Sequence, residues 1–147
     1  MNDITKIEKP LLGMPHNVKV RAAEMFLKQL PQTFIPVQNF FGHGIYTRIG
    51  LIPKDTLVTG KEHLKGQHNI LVMGSIEMET ENGPVVLHAP EVVVSPPGTK
   101  RAARTLTDVI WATILANPEN ITDPDEIERQ FIHPIDCTAP KRIKGED

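Results

Sequence analysis

Thirteen prolines divide this 147-residue chain, and most of them stand between apolar runs. Proline locks φ and offers no backbone N–H, so it halts helices and is kept out of central strands. Most of the sequence is therefore restricted to short elements. From Phe34 onward these are rich in Val, Ile and Thr: GIYTRIGLI, DTLVTG, HNILVMGSIEMET, GPVVLHA, EVVVSP, KRAARTL and DVIWATILA. Turn-forming breaks such as P-K-D, E-N-G, A-P-E and P-P-G separate them. Strands of this length with hairpin spacers predict an all-β sandwich or barrel. DVIWATILA is apolar on both parities, which predicts cover on both faces.

Helices are expected only toward the two ends. Residues 1–16 read as an irregular arm. Asn17 is placed to cap a helix through VKVRAAEMFLKQL, with Ala23, Phe26, Leu27 and Leu30 as its buried stripe and Pro31 as its stop. Thr122 or Asp123 caps a short helix that has Pro124 at its first position and turns Ile127 and Phe131 inward. Residues 134–147 read as a loose tail. The resulting organisation is an arm and helix over 1–39, a β-barrel over 40–117, and a helix and tail over 118–147. A single domain of this length buries roughly 68–70% of its unfolded surface without help from disulfides or metal.

Charge and composition exclude several classes. The formal net charge is -2, aromatics make up 5%, and no basic run is present. Neither nucleic acid nor an anionic membrane is an expected partner. The single cysteine, Cys137, cannot form an intrachain disulfide and fits a reducing compartment. MNDITKIEKP lacks the apolar core of a secretory signal, and no segment approaches the length of a membrane span. A soluble cytoplasmic protein is the expectation.

The stretch TGKEHLKGQHNILVMGS, Thr59 to Ser75, crowds two histidines, two lysines and a glutamine ahead of an aliphatic run. Here the chain resembles the cupin family, small jelly-roll barrels also called double-stranded β-helices. The family's first motif, G-x5-H-x-H-x3-E-x6-G, falls on Asp55, Lys61, His63, Gln67 and Gly74. Its second, G-x5-P-x-G-x2-H-x3-N, falls on Pro90, Pro96, Gly98, Arg101 and Thr105. More narrowly, HGIYTR, LVTGKEH and VSPPGTKR are similar to small cupin-like proteins of tailed bacteriophages. The resemblance implies an all-β cupin-type jelly-roll with an N-terminal helix and a short C-terminal helix. It also implies a setting in the host-cell cytoplasm or in the virion, but no established reaction.

Spacing is kept while ligand chemistry is not. Of the family's four metal-ligand positions only His63 retains its identity; Lys61 and Arg101 replace histidines, and Gln67 replaces the glutamate. Protonated Lys and Arg cannot ligate a metal. Two unit charges about 4 Å apart interact by roughly 4 kcal/mol at an effective dielectric of about 20, so each cation would oppose a divalent ion. No cofactor is expected. The same residues suit a small anionic ligand such as a nucleotide or sugar phosphate, contacted by Lys61, Arg101 and His63, with Gln67, Arg48 and Tyr46 beside them and Lys100 and Arg104 in reach.

Other readings stay open. Lys61 and Arg101 can be solvated strand ends, with Arg101 paired to Glu62, Asp55 or Glu91, in a purely structural or assembly module. Alternatively, one divalent transition metal sits on His63 and Gln67, completed by His43, His68 or His88, in an isomerase or dioxygenase. A metal-free epimerase would use His63 as base and Tyr46 as acid. Self-association as a homodimer or homotrimer is expected because such barrels expose sheet edges. Trp111 reads as barrel core or subunit interface and Cys137 as a bystander.

Overall fold

The computed structural model describes residues 15–139. The arm expected over 1–16, except its last two residues, and the end of the tail lie outside them. Helix α1 (His16–Leu27) is followed by nine strands: β1 (Val37–Gly42), β2 (Ile45–Ile52), β3 (Leu57–Thr59), β4 (Gln67–Met73), β5 (Ser75–Thr80), β6 (Gly83–His88), β7 (Glu91–Ser95), β8 (Ala102–Thr105) and β9 (Val109–Ala116). Helix α2 (Pro124–Phe131) and a 3-10 turn (Pro134–Asp136) come last. No helix among the described residues is long and apolar enough to cross a membrane.

The strands form two antiparallel sheets, ordered β1-β2-β9-β4-β7 and β3-β8-β5-β6. Early and late strands interleave in both, as they do when a long hairpin rolls up into a jelly roll. The expected all-β barrel with terminal helices is therefore the observed architecture. β9 lies in the middle of its sheet, between β2 and β4, which explains why DVIWATILA is apolar on both parities.

Two local features depart from the sequence reading. HNILVMGSIEMET was read as one segment; the structure splits it at Gly74, where the chain leaves one sheet for the other. Gly74 has φ +92°, and a Cβ there would lie 2.2 Å from the Asp108 carbonyl oxygen and 2.6 Å from Thr107 Oγ1. Only glycine fits. The run VQNFFG was not read as a strand but forms edge strand β1, paired to β2 through a two-residue turn. His43 and Gly44 take φ of 54° and 76°, the left-handed pair such a hairpin needs.

In α1, Pro15 rather than Asn17 occupies the cap position, and the Asn17 amide instead donates to Glu62 Oε1 at 2.6 Å and Gly98 O at 2.8 Å. The expected stripe is not buried: Phe26 and Leu30 are each 36% exposed, whereas Val20 is the buried residue. The reason is that α1 lies on a polar partner. Its Arg21 meets Glu62 (3.1 Å) and Asp136 (3.2 Å), and its Glu24 meets Lys100 (3.2 Å). At the other end Asp123 caps α2, accepting from the Asp125 N–H at 3.0 Å. As expected, Ile127 and Phe131 turn inward, here against Tyr46 and Leu115.

Candidate functional site

Between the two sheets lies a cavity of about 820 Å³, lined also by residues of the segment 27–35, by Gly60, Lys61 and His63, and by α2. Volumes of this order suit a drug-sized or nucleotide-sized molecule. Strand alternation decides which side chains line it. On the five-stranded sheet, one inward row runs Asn39, Arg48, Thr113 and Asn69 across β1, β2, β9 and β4. This wall is polar. Ile76, Met78 and Ala103 from the other sheet make an apolar wall, and Trp111, the chain's sole tryptophan, sits at the cavity's inner end beside Leu71.

The polar wall is wired together. Thr113 Oγ1 donates to Asn69 Oδ1 (2.9 Å), Asn69 Nδ2 donates to Ser95 Oγ (3.0 Å), and Arg101 Nη1 donates to the same hydroxyl oxygen (2.5 Å). Tyr46 donates its hydroxyl to Asn39 Oδ1. Burial, with the neighbouring Arg48 working the other way, holds the Tyr46 phenol above its ordinary value.

Arg48 and Arg101 both face the cavity, and among the described residues neither has a carboxylate within 4 Å. Arg101 therefore does not pair with Glu62, Asp55 or Glu91. Burial pulls its guanidinium below the ordinary value, against the more distant attraction of Glu81. His63 and Gln67 line the same space, and His63 Nδ1 and Gln67 Oε1 are buried without a hydrogen-bond partner. Burial first, then repulsion from Arg48 and Lys61, lowers the His63 pKa to about 4, so the imidazole is neutral at neutral pH.

Lys61 also lines the cavity. Its ammonium reaches Glu128 on α2 and Thr138 Oγ1 (3.0 Å), so its charge is committed to holding the C-terminal segment over the cavity. Hydrogen bonds from Lys61 and Thr138 outweigh burial and keep the Glu128 carboxyl below its usual value. Lys100 is wholly buried and outside the cavity, with its Nζ on Asp136 Oδ2 (3.0 Å), Glu24 Oε2 (3.2 Å) and Gly60 O (2.8 Å). Arg104 points out of the barrel beside Glu77. Of the residues named from the sequence, Lys61, His63, Gln67, Arg101, Arg48 and Tyr46 all line the cavity. The sequence reading missed Asn39, Asn69, Ser95 and Thr113, whose signal was polar residues at the inward parity of otherwise apolar strands.

Among the described residues, neither His63 nor Gln67 finds a third metal donor. Among the described residues no cluster of three or more His, Cys, Asp or Glu could hold a metal ion. His68 stands on the outer face opposite Ile114, His88 is held by Ser75 (2.7 Å), and His43 sits in the β1–β2 turn. With Arg48 and Arg101 facing the same space, this donor set does not fit a divalent cation.

No protein-family model matches the chain, and no curated protein matches it by sequence. Its structural neighbours include the Cupin_2 domain of an XRE family transcriptional regulator from Enterobacter cloacae, with a TM-score of 0.50 at 15% identity, covering 58% of this chain and 99% of that one. Another is an uncharacterized conserved protein with a double-stranded β-helix domain from Klebsiella pneumoniae subsp. pneumoniae, with a TM-score of 0.51 at 13% identity, covering 63% and 85%. At such identities the likeness speaks to architecture alone. The order of the strands and these neighbours together show that the chain has the cupin-type double-stranded β-helix fold.

Proposed function

We propose that the protein is a non-catalytic cupin-fold binding protein that holds a small organic anion inside the barrel. The observation that carries this reading is the pair of guanidiniums, Arg48 and Arg101, lining one open cavity with, among the described residues, no carboxylate within 4 Å of either. Arg101 is partly buried and Arg48 exposed; a partly buried cation without a counter-charge is costly, and a ligand phosphate or carboxylate supplies one through the planar fork. The orphaned Gln67 Oε1 can only accept, which suits a ligand that also carries a hydroxyl or amino donor and that Gln67 turns to meet. The apolar wall with Trp111 at its inner end receives a carbon skeleton or ring. A nucleotide or a sugar phosphate has all three parts. The phage setting, in host cytoplasm or virion, is part of the proposal through the sequence resemblance alone.

The test is titration of nucleoside monophosphates, hexose phosphates and small carboxylates, read by calorimetry and by the emission of the sole tryptophan. Micromolar to sub-millimolar binding by at least one class is expected. Arg48→Ala or Arg101→Ala should weaken it roughly 10- to 100-fold, as loss of a charge-assisted hydrogen bond does. Lys61→Ala should change it less than about twofold, because Lys61 already serves Glu128. Absence of binding by every class at millimolar concentration, or equal binding by wild type and Arg48→Ala, would overturn the reading.

A further inference from the structure

The break E-N-G lies between β5 and β6, and those strands close on Thr80 opposite Gly83, so Glu81 and Asn82 alone form the turn. Gly83 takes φ +99° and has nothing within 4 Å of where a Cβ would stand. Asn82 is exposed. Its backbone N–H donates to Thr80 Oγ1 at 3.2 Å, while its side-chain amide makes no hydrogen bond among the described residues. Asn82-Gly83 is the one Asn-Gly pair in the chain. The other described asparagines, Asn17, Asn39, Asn69, Asn117 and Asn120, have their side chains engaged in hydrogen bonds and precede Val, Phe, Ile, Pro and Ile in turn.

We infer that Asn82 is a site of spontaneous covalent modification, converting to aspartyl and isoaspartyl forms through a cyclic imide. The Gly83 nitrogen attacks Cγ of Asn82. A C–N bond forms, the bond from Cγ to Nδ2 breaks, and ammonia leaves with the proton that the Gly83 nitrogen gives up. Water then opens the ring at either carbonyl, leaving the side-chain carboxylate of an aspartyl residue or the displaced main chain of an isoaspartyl one. Glycine in the following position matters because it has no Cβ to crowd the ring, and its freedom at positive φ lets the turn bend toward the attack. Asn82 is not among the cavity-lining residues, so the inference stands apart from the ligand reading. Each conversion adds a negative charge to a tip that already exposes Glu79 and Glu81. The isoaspartyl form also lengthens the main chain within a turn whose length sets the hairpin register, so the Thr80–Gly83 pair is disturbed. β6 is an edge strand paired to β5 alone, which confines the disturbance to the end of that hairpin.

Peptide mapping by mass spectrometry tests this on the full chain, held warm in neutral and in mildly alkaline buffer. The amide-to-acid mass gain is expected on the peptide carrying Asn82, in both aspartyl and isoaspartyl forms. It should build up faster in alkali, where the Gly83 nitrogen loses its proton more readily. Peptides carrying Asn39, Asn69 and Asn117 should remain amides. Gly83→Ala should slow the conversion at least about tenfold by placing a Cβ against the ring. Alanine is strained at φ +99°, so Asn82→Gln supplies a second variant: its longer side chain must close a larger ring, and its peptide should remain an amide. An Asn82 that stays an amide through weeks in alkali, a gain spread evenly over the asparagines, or a product holding only the aspartyl form would each overturn the inference. The wild-type map decides independently of whether either variant folds.

Discussion

His63 should make this fold lose stability as the pH falls from neutrality, over a window in which most proteins are indifferent. Its imidazole has a pKa of about 4 in the folded chain against 6.5 ordinarily, chiefly through burial. The unfolded chain therefore binds a proton more readily than the folded one. Stability from this group is complete above pH 6.5 and is lost as pH drops through 6.5 toward 4. At 1.36 kcal/mol per pH unit the full loss is about 3 kcal/mol, with roughly 2 kcal/mol of it gone by pH 5. The carboxylates held low, Glu24, Glu128 and Asp136, surrender their share only below about pH 4.5, so the upper window isolates the histidine. Urea unfolding from pH 7.5 to 5, followed by tryptophan emission, measures the slope in wild type and in His63→Gln, which cannot titrate. The wild-type midpoint should fall across the window and the variant's should hold. Parallel curves, or an imidazole titrating near 6.5 by NMR, would refute the reasoning. Anion binding adds a second reading of the same group: a bound phosphate beside His63 would raise its pKa and draw in a proton.

Three further outcomes follow from the packing. Gly74→Ala should cost about 3 kcal/mol or more in urea unfolding, since the new Cβ meets the Asp108 backbone oxygen rather than a side chain that can turn away. Lys100→Met should cost roughly 3–5 kcal/mol by leaving Asp136 and Glu24 short of their cation, and adding Glu24→Gln should recover part of it. Asp123→Ala should cost about 1 kcal/mol through the lost cap of α2, and thermal unfolding would show it.

Much of the fold was legible because its signals are local. Proline and glycine punctuation, β-branched runs and the Asp123-Pro124 start of α2 each act within a few residues. Motif spacing then located His63, Gln67 and Arg101 in one cavity even though the motif's chemistry had changed. What stayed hidden depends on partners far along the chain. Nothing near Lys61 announces Glu128, 67 positions later, and nothing near Lys100 announces Glu24 and Asp136. The apolar stripe expected of α1 failed for the same reason: the surface it rests on is an ion cluster built from distant loops. Edge strand β1 was missed because Gln38 and Asn39 interrupt the apolar run, and Asn39 serves the cavity rather than the core.

The cluster of Arg21, Glu24, Glu62, Lys100 and Asp136 also sets when the molecule can finish folding. Arg21 and Asp136 are 115 residues apart, and Asp136 accepts from Arg21, Lys100 and the Glu62 N–H together. Those contacts outweigh burial and keep its carboxyl ionised. Until residue 136 leaves the ribosome, Lys100 lacks one of its two carboxylate partners and α1 is held by only part of its attachment. The early helix therefore waits for a partner 115 residues further along, and its docking is a late step rather than one built up from the N-terminus.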